Sequence, residues 1–256
     1  MKIDAHFHIF LAKTINQSQS RYPIQYDATI DQWHSLATPL GIDGGVIVQP
    51  SFLGIDNTFL LAALSQSKGA LKGVTVLPSN VPRSALEELK EQGVVGVRLN
   101  LFGVSDPHSM IRNYWKLIEF INESEMHLEL HHDDGLLNTL LLEIPSGTEI
   151  VIDHFGRPKT GEEFLHECSG ILQHTSSLWV KLSAQYRTPG LDHAKVLGYW
   201  LDRIGPNKLL WGSDWPHTGF EAAQGYAQQF NDLDRLVHDE QLLNQILSTN
   251  PKYLYW

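Results

Sequence analysis

"KIDAHFHIF", residues 2–10, is the stretch whose reading decides the fold. Side chains of a strand alternate between its two faces. Alternation predicts Asp4, His6 and His8 on one face, with Ile3, Ala5, Phe7 and Ile9 on the other. An apolar face packed under helices, opposite a polar face, is the pattern of a barrel strand. Two imidazoles directed into a barrel are hard to explain by packing alone.

Working outward, apolar runs bounded by Gly, Pro or Asp recur at 43–49, 71–78, 93–100, 126–132, 148–154, 177–184 and 208–214. Stretches with helical periodicity separate them, such as "PRSALEELKEQG" (82–93), with its proline start and glycine stop, and "SMIRNYWKLIEFINES" (109–124). Others are "LLNTLLLEI" (136–144), "EEFLHECSGILQH" (162–174) and "HAKVLGYWLDRIG" (193–205). Eight alternations predict a parallel sheet built of βαβ units. In a chain of 256 residues they favour one closed (β/α)8 TIM barrel over residues 1–256, with its active site at the C-terminal strand ends. No GxGxxG follows the first strand, so a dinucleotide-binding sheet has no support.

Composition narrows the function classes. A hydrophobic content of 42% and a mean hydropathy of −0.19 describe an ordinary globular chain. The net charge of −10 argues against nucleic acid and anionic membranes as partners. Cys168 is the sole cysteine, which excludes an internal disulfide and suits a reducing, cytoplasmic setting. No signal peptide and no membrane span are expected. The longest irregular stretch, residues 9–28, is either a lid over the site or an excursion.

Polar groups gather at the strand ends. Asp214 follows "LLW" at the last strand, where an Asp either caps a turn or serves as a base. His154 and Arg157 follow "IVID", and Arg98 and Asn100 share a face of "VVGVRLN", away from Val95 and Val97. His127, Glu129 and His131 share a face of "HLELHH", and "VKLSAQYR" ends in Ser183, Tyr186 and Arg187. His6, His8, His154 and Asp214 suit a hydrolytic water, either around a divalent metal or with Asp as base and imidazoles polarising a carbonyl. The arginines point to an anionic substrate or to structural ion pairs.

"DAHFH" (4–8), "IDHFGRP" (152–158), "KLSAQYR" (181–187), "LLWGSDWPH" (209–217) and "NPKYLYW" (250–256) together resemble the amidohydrolase-2 branch of the amidohydrolase superfamily. Within it they are most similar to the 2-pyrone-4,6-dicarboxylate lactonases and related sugar lactonases. The resemblance implies a hydrolase that opens a small carboxylated or sugar-acid lactone. Asp214 would deprotonate water, His6 and His154 would polarise the ester carbonyl, and His8 would help position them. Arg98, His131, Arg157, Ser183, Tyr186, Arg187 and His217 would bind substrate. His131 stands where the lactonases show a tyrosine. Those lactonases work without metal, so no cofactor is the first expectation. One zinc or manganese on His6, His8, His154 and Asp214 is the alternative, with a metal-dependent hydrolase or decarboxylase as its function. A barrel that binds ligand without turnover is the competing class. Trp215 and Pro216 are expected to shield Asp214, and the resulting desolvation to raise its pKa.

Overall fold

The computed structural model describes residues 1–15, 17, 20, 21, 23–159 and 169–256. Cys168 and the first part of the 162–174 stretch lie outside them; from that stretch, Ser169–Gln173 forms a helix. The strands are β1 (Lys2–Phe7), β2 (Ile42–Val48), β3 (Leu71–Thr75), β4 (Val94–Asn100), β5 (His127–His131), β6 (Ile150–Ile152), β7 (Leu178–Ser183) and β8 (Leu209–Gly212). They pair in parallel in sequence order, with helices between them, as a (β/α)8 barrel requires. Among the described residues, no helix is long and apolar enough to cross a membrane.

Local sequence explains the helix boundaries. Thr29 and Gln32 form a capping box at the start of Ile30–Ala37. Asp106 and Asp192 cap Pro107–Asn113 and His193–Ile204 through the amides of Ser109 and Lys195. The 109–124 stretch contributes to two helices that meet at Tyr114. Tyr226–Val237 is a helix that the periodicity reading did not single out.

The barrel closes at a seam between the two ends of the chain. Asp214 N donates to His6 O at 2.9 Å, and His8 N donates to Trp215 O at 2.8 Å. Below them, Asp4 accepts from Ser213 N (2.9 Å), Ser213 Oγ (2.7 Å), Trp33 Nε1 (3.1 Å) and Tyr226 OH (2.9 Å). Gly212 packs so closely on the His6 backbone that a Cβ there would collide with it.

Two register shifts correct the strict alternation read from the sequence. In β1 the pairing with β2 slips between Asp4 and Phe7. Asp4 therefore turns outward to Trp33 and Tyr226, while His6 faces the interior and Phe7 stacks on Trp33 at 4.2 Å. Ala5 joins the inner cluster of Val46, Val48, Val74, Val151, Trp179, Leu210 and Tyr255 instead of packing under the helices. In β4 the slip lies between Val94 and Gly96, so Val95 packs inward and Val97 outward.

The interior is thus layered. An apolar floor is followed by a buried charged layer of His6, Arg98, Glu129, Asp153 and Lys181, and then by the mouth. At the two ends of the 9–28 stretch, Phe10 and Ala28 exchange backbone hydrogen bonds.

Asp4→Ala should lower the free energy of unfolding by about 3 kcal/mol or more, because it strands several buried donors. Urea denaturation at neutral pH measures this, and a loss under about 1 kcal/mol would show that the seam closes without Asp4.

Candidate active site

Three strand ends deliver the reactive groups. β1 carries His6, and His8 follows directly after it. Beyond β8, Asp214 sits in the left-handed region (φ 56°), which Asp tolerates better than most residues. After β6, residues 154–157 all have positive φ, forming a short left-handed turn that exposes His154 and Arg157 to the mouth. Such a turn is strained for L-residues. Trp200 Nε1 donating to Phe155 O (2.9 Å) and Gly135 N donating to Arg157 O (2.8 Å) hold it.

These elements converge on one carboxylate. Asp214 Oδ1 lies 3.5 Å from His6 Nε2, 3.4 Å from His8 Nε2 and 4.0 Å from His154 Nε2. Its Oδ2 accepts from Tyr186 OH at 2.5 Å and Arg187 Nε at 2.8 Å. His8 Nδ1 donates to Val48 O at 2.7 Å, so its Nε2 presents a lone pair to the centre. Ser183 Oγ lies 2.9 Å from His154 Nδ1 and steadies that ring from behind.

A cavity of about 250 Å³ opens over this centre, lined by His8, Arg98, Asn100, His131, His154, Arg157, Arg187 and Asp214 among others. Arg98 doubles as wall and ion pair, its Nε and Nη2 donating to Asp153 Oδ2 at 3.1 and 2.7 Å. Arg157 pairs with Asp134 through Nε at 2.9 Å. Phe102 carries the Arg21 and Arg157 guanidinium groups at 4.4 and 4.8 Å from its ring centre, and it stacks on His131. Asn100 Oδ1 accepts from Phe102 N, which orients the amide so that His131 Nδ1 is its second donor, at 3.0 Å.

Asp214 corrects an expectation. Burial pushes its carboxyl up, as predicted. The Arg187 guanidinium outweighs that, and holds it well below the usual carboxylate range. Its direct cover comes from Tyr186, Arg187 and the imidazoles, whereas Trp215, Pro216 and His217 line a second cavity of about 350 Å³. His6, Ser183 and Tyr186 are not on the wall of the first cavity; His6 and Tyr186 lie behind it against Asp214, and Ser183 against His154.

The sequence reading passed over Asp153, Lys181, Arg21 and Phe102. Period two would have found the first two, because Asp153 follows inward-facing Val151 and Lys181 follows inward-facing Trp179. Nothing in a loop marks Arg21 or Phe102 in advance.

By spacing, His6 Nε2, His8 Nε2 and Asp214 Oδ1 could hold a cation. Their separations of 3.3, 3.4 and 3.5 Å match the edges of a tetrahedral shell with ligands at about 2.0–2.2 Å. The proton count at His6 does not fit. Lys181 Nζ lies in hydrogen-bond geometry 3.1 Å from His6 Nδ1; a ring that accepts there carries its proton on Nε2, where a metal would need a lone pair.

A family model described as amidohydrolase matches residues 3–255. The chain belongs to the amidohydrolase family. The resemblance carried by the ordered motifs is therefore correct. A curated member, 4-sulfomuconolactone hydrolase of Rhizobium radiobacter, is 30% identical over 268 residues, covering 98% of this chain and 89% of that one. A candidate 2-pyrone-4,6-dicarboxylic acid hydrolase of Pseudomonas putida has a crystal structure with 35% identity and a TM-score of 0.90, covering 99% of this chain and 97% of that one. Another, from Acinetobacter baumannii with citric acid bound, has 32% identity and a TM-score of 0.90, with coverage of 99% and 98%.

The buried rings of this amidohydrolase predict a stability profile. Burial, aided by Arg98 beside His131, holds the pKa values of His131 and His154 well below the ordinary imidazole value. The unfolded chain therefore takes up more protons than the folded one once the pH drops below about 6.5. Acidification from pH 7 to 5 should lower the urea midpoint steadily. A flat profile would mean that these rings are charged in the fold.

Proposed function

We propose that this amidohydrolase opens the ring of a small anionic lactone by adding water to its ester carbonyl. The observation that carries this reading is the convergence of three imidazole Nε2 atoms on one buried carboxylate oxygen, beneath a cavity walled by arginines. The relatives named for lactone hydrolysis support the reaction, and the relative with citric acid bound supports an anionic ligand.

The substrate's anionic groups sit against Arg157 and Arg187, with Arg98 behind them, which fixes the ester carbonyl near His6 and His154. Water attacks the acyl carbon while Asp214 takes its proton. His6 Nε2–H and His154 face the oxygen that becomes negative in the tetrahedral intermediate. Collapse breaks the ring C–O bond, and the departing oxygen takes the proton back from Asp214. The product is a ring-opened hydroxy (or enol) acid.

A base held well below the usual carboxylate range is a weak one, and the substrate can correct this. Arg187 is the strongest charge holding Asp214 acidic, and it also lines the cavity. A substrate anion that draws this guanidinium away makes Asp214 more basic when a lactone is bound. Tyr186 keeps Oδ2 in place during that exchange. His131, neutral and stacked on Phe102, shapes the wall where substrates are distinguished. A reducing cytoplasm is the setting that the single cysteine suits.

Asp214→Asn should reduce kcat on a responsive lactone by about 10²–10⁴-fold with little change in fold. Near-wild-type turnover would sink the mechanism. Arg157→Ala should raise KM for carboxylated lactones far more than for neutral sugar lactones. Equal effects on both would make Arg157 a structural group.

A further inference from the structure

Lys181 is fully buried inside the barrel, and the reaction as described gives it no chemical step. Its Nζ faces three acceptors: Glu129 Oε2 at 2.5 Å, His6 Nδ1 at 3.1 Å and Asp153 Oδ1 at 3.5 Å. An ammonium has three N–H groups and no acceptor, so this surrounding suits it on every side. We propose that Lys181 is a positioning residue that fixes His6 in the tautomer bearing its proton on Nε2, making His6 a hydrogen-bond donor to the reacting carbonyl instead of a metal ligand. The role of the carbonyl rests on the hydrolytic reading; the tautomer does not.

The choice at His6 is between two neighbours. Asp153 Oδ1 lies 3.1 Å from Nδ1, the same distance as Lys181 Nζ, yet it makes no hydrogen bond and is left as a buried orphan. Its partner oxygen, Oδ2, is held by Arg98. Without Lys181, the ring proton would move to Nδ1 and satisfy Asp153 Oδ1. The Nε2 lone pair would then join that of His8 and the free oxygen of Asp214, completing the donor triangle described above. A metal-independent centre and a metal centre therefore differ here by the position of one proton, and Lys181 sets it.

Nuclear magnetic resonance can read that proton directly. Protein labelled with ¹⁵N-histidine, prepared metal-free, would be compared with a His6→Asn sample to assign the ring among the thirteen histidines. The His6 ring should show a protonated Nε2 and a bare Nδ1. A ring protonated on Nδ1, or on both nitrogens, overturns the proposal. The same spectrum of Lys181→Met/Glu129→Gln, which keeps Arg98 and Asp153 balanced, should show the proton shifted to Nδ1. In calorimetric titration with zinc chloride, that double variant should bind roughly tenfold more tightly than the wild type, or better. Equal affinity, or tighter binding by the wild type, also overturns it. Should the double variant fail to fold, the wild-type spectrum decides alone. Neither readout uses turnover, so an inactive protein with a protonated Nε2 would refute the hydrolase and leave the role of Lys181 standing.

Discussion

The closure of β1 against β8 is the constraint on which the rest of this protein depends. Parallel strands 209 residues apart must meet edge to edge, and Asp4 locks them by accepting both the amide and the hydroxyl of Ser213. The backbone bonds just above, Asp214 N to His6 O and His8 N to Trp215 O, continue that closure. They also set the Asp214 carboxylate beside two imidazoles. The reactive centre is thus built from the same hydrogen bonds that complete the barrel. Gly212 belongs to this arrangement, because only the absence of a Cβ allows β8 to approach His6 so closely.

Burying charge inside a barrel is costly unless each charge is paired and hydrogen-bonded. The layer beneath the mouth meets that condition by balance: Arg98 and Lys181 face Glu129 and Asp153. Coulombic attraction from Lys181 keeps Glu129 below its usual range against burial and the Asp153 charge, which push it up. The same layer gives Arg98 a fixed anchor below, so its guanidinium is preorganised where it meets the cavity. Rigidity at the mouth therefore comes from electrostatics one layer down as much as from packing.

The eight strands, their order and the quartet His6, His8, His154 and Asp214 were all legible in the sequence, because period two and the polar residues at strand ends are local signals. What failed depended on register and on contacts distant in sequence. Strict alternation misplaced Asp4, Ala5 and Val95, since a bulge of one residue reverses the face of what precedes it and leaves no mark in composition. The expected rise in the pKa of Asp214 missed Arg187, 27 residues away, whose approach depends on the turn after β7. His217 was expected near substrate, yet its left-handed backbone carries it into the neighbouring cavity. Lys181 and Asp153 obey the same alternation but lie one step of the pleat below the polar strand ends, inside the buried charged layer.

The seam also orders events in time. Translation produces His6 and His8 well before Asp214, and at about 5–20 residues per second the interval is roughly ten to forty seconds. During that interval β1 has no partner on its seam edge, and the buried layer built around His6 lacks its roof. The growing chain therefore carries no competent centre at any intermediate length. Reactive geometry waits for β8, whose pairing with β1 shuts the ring.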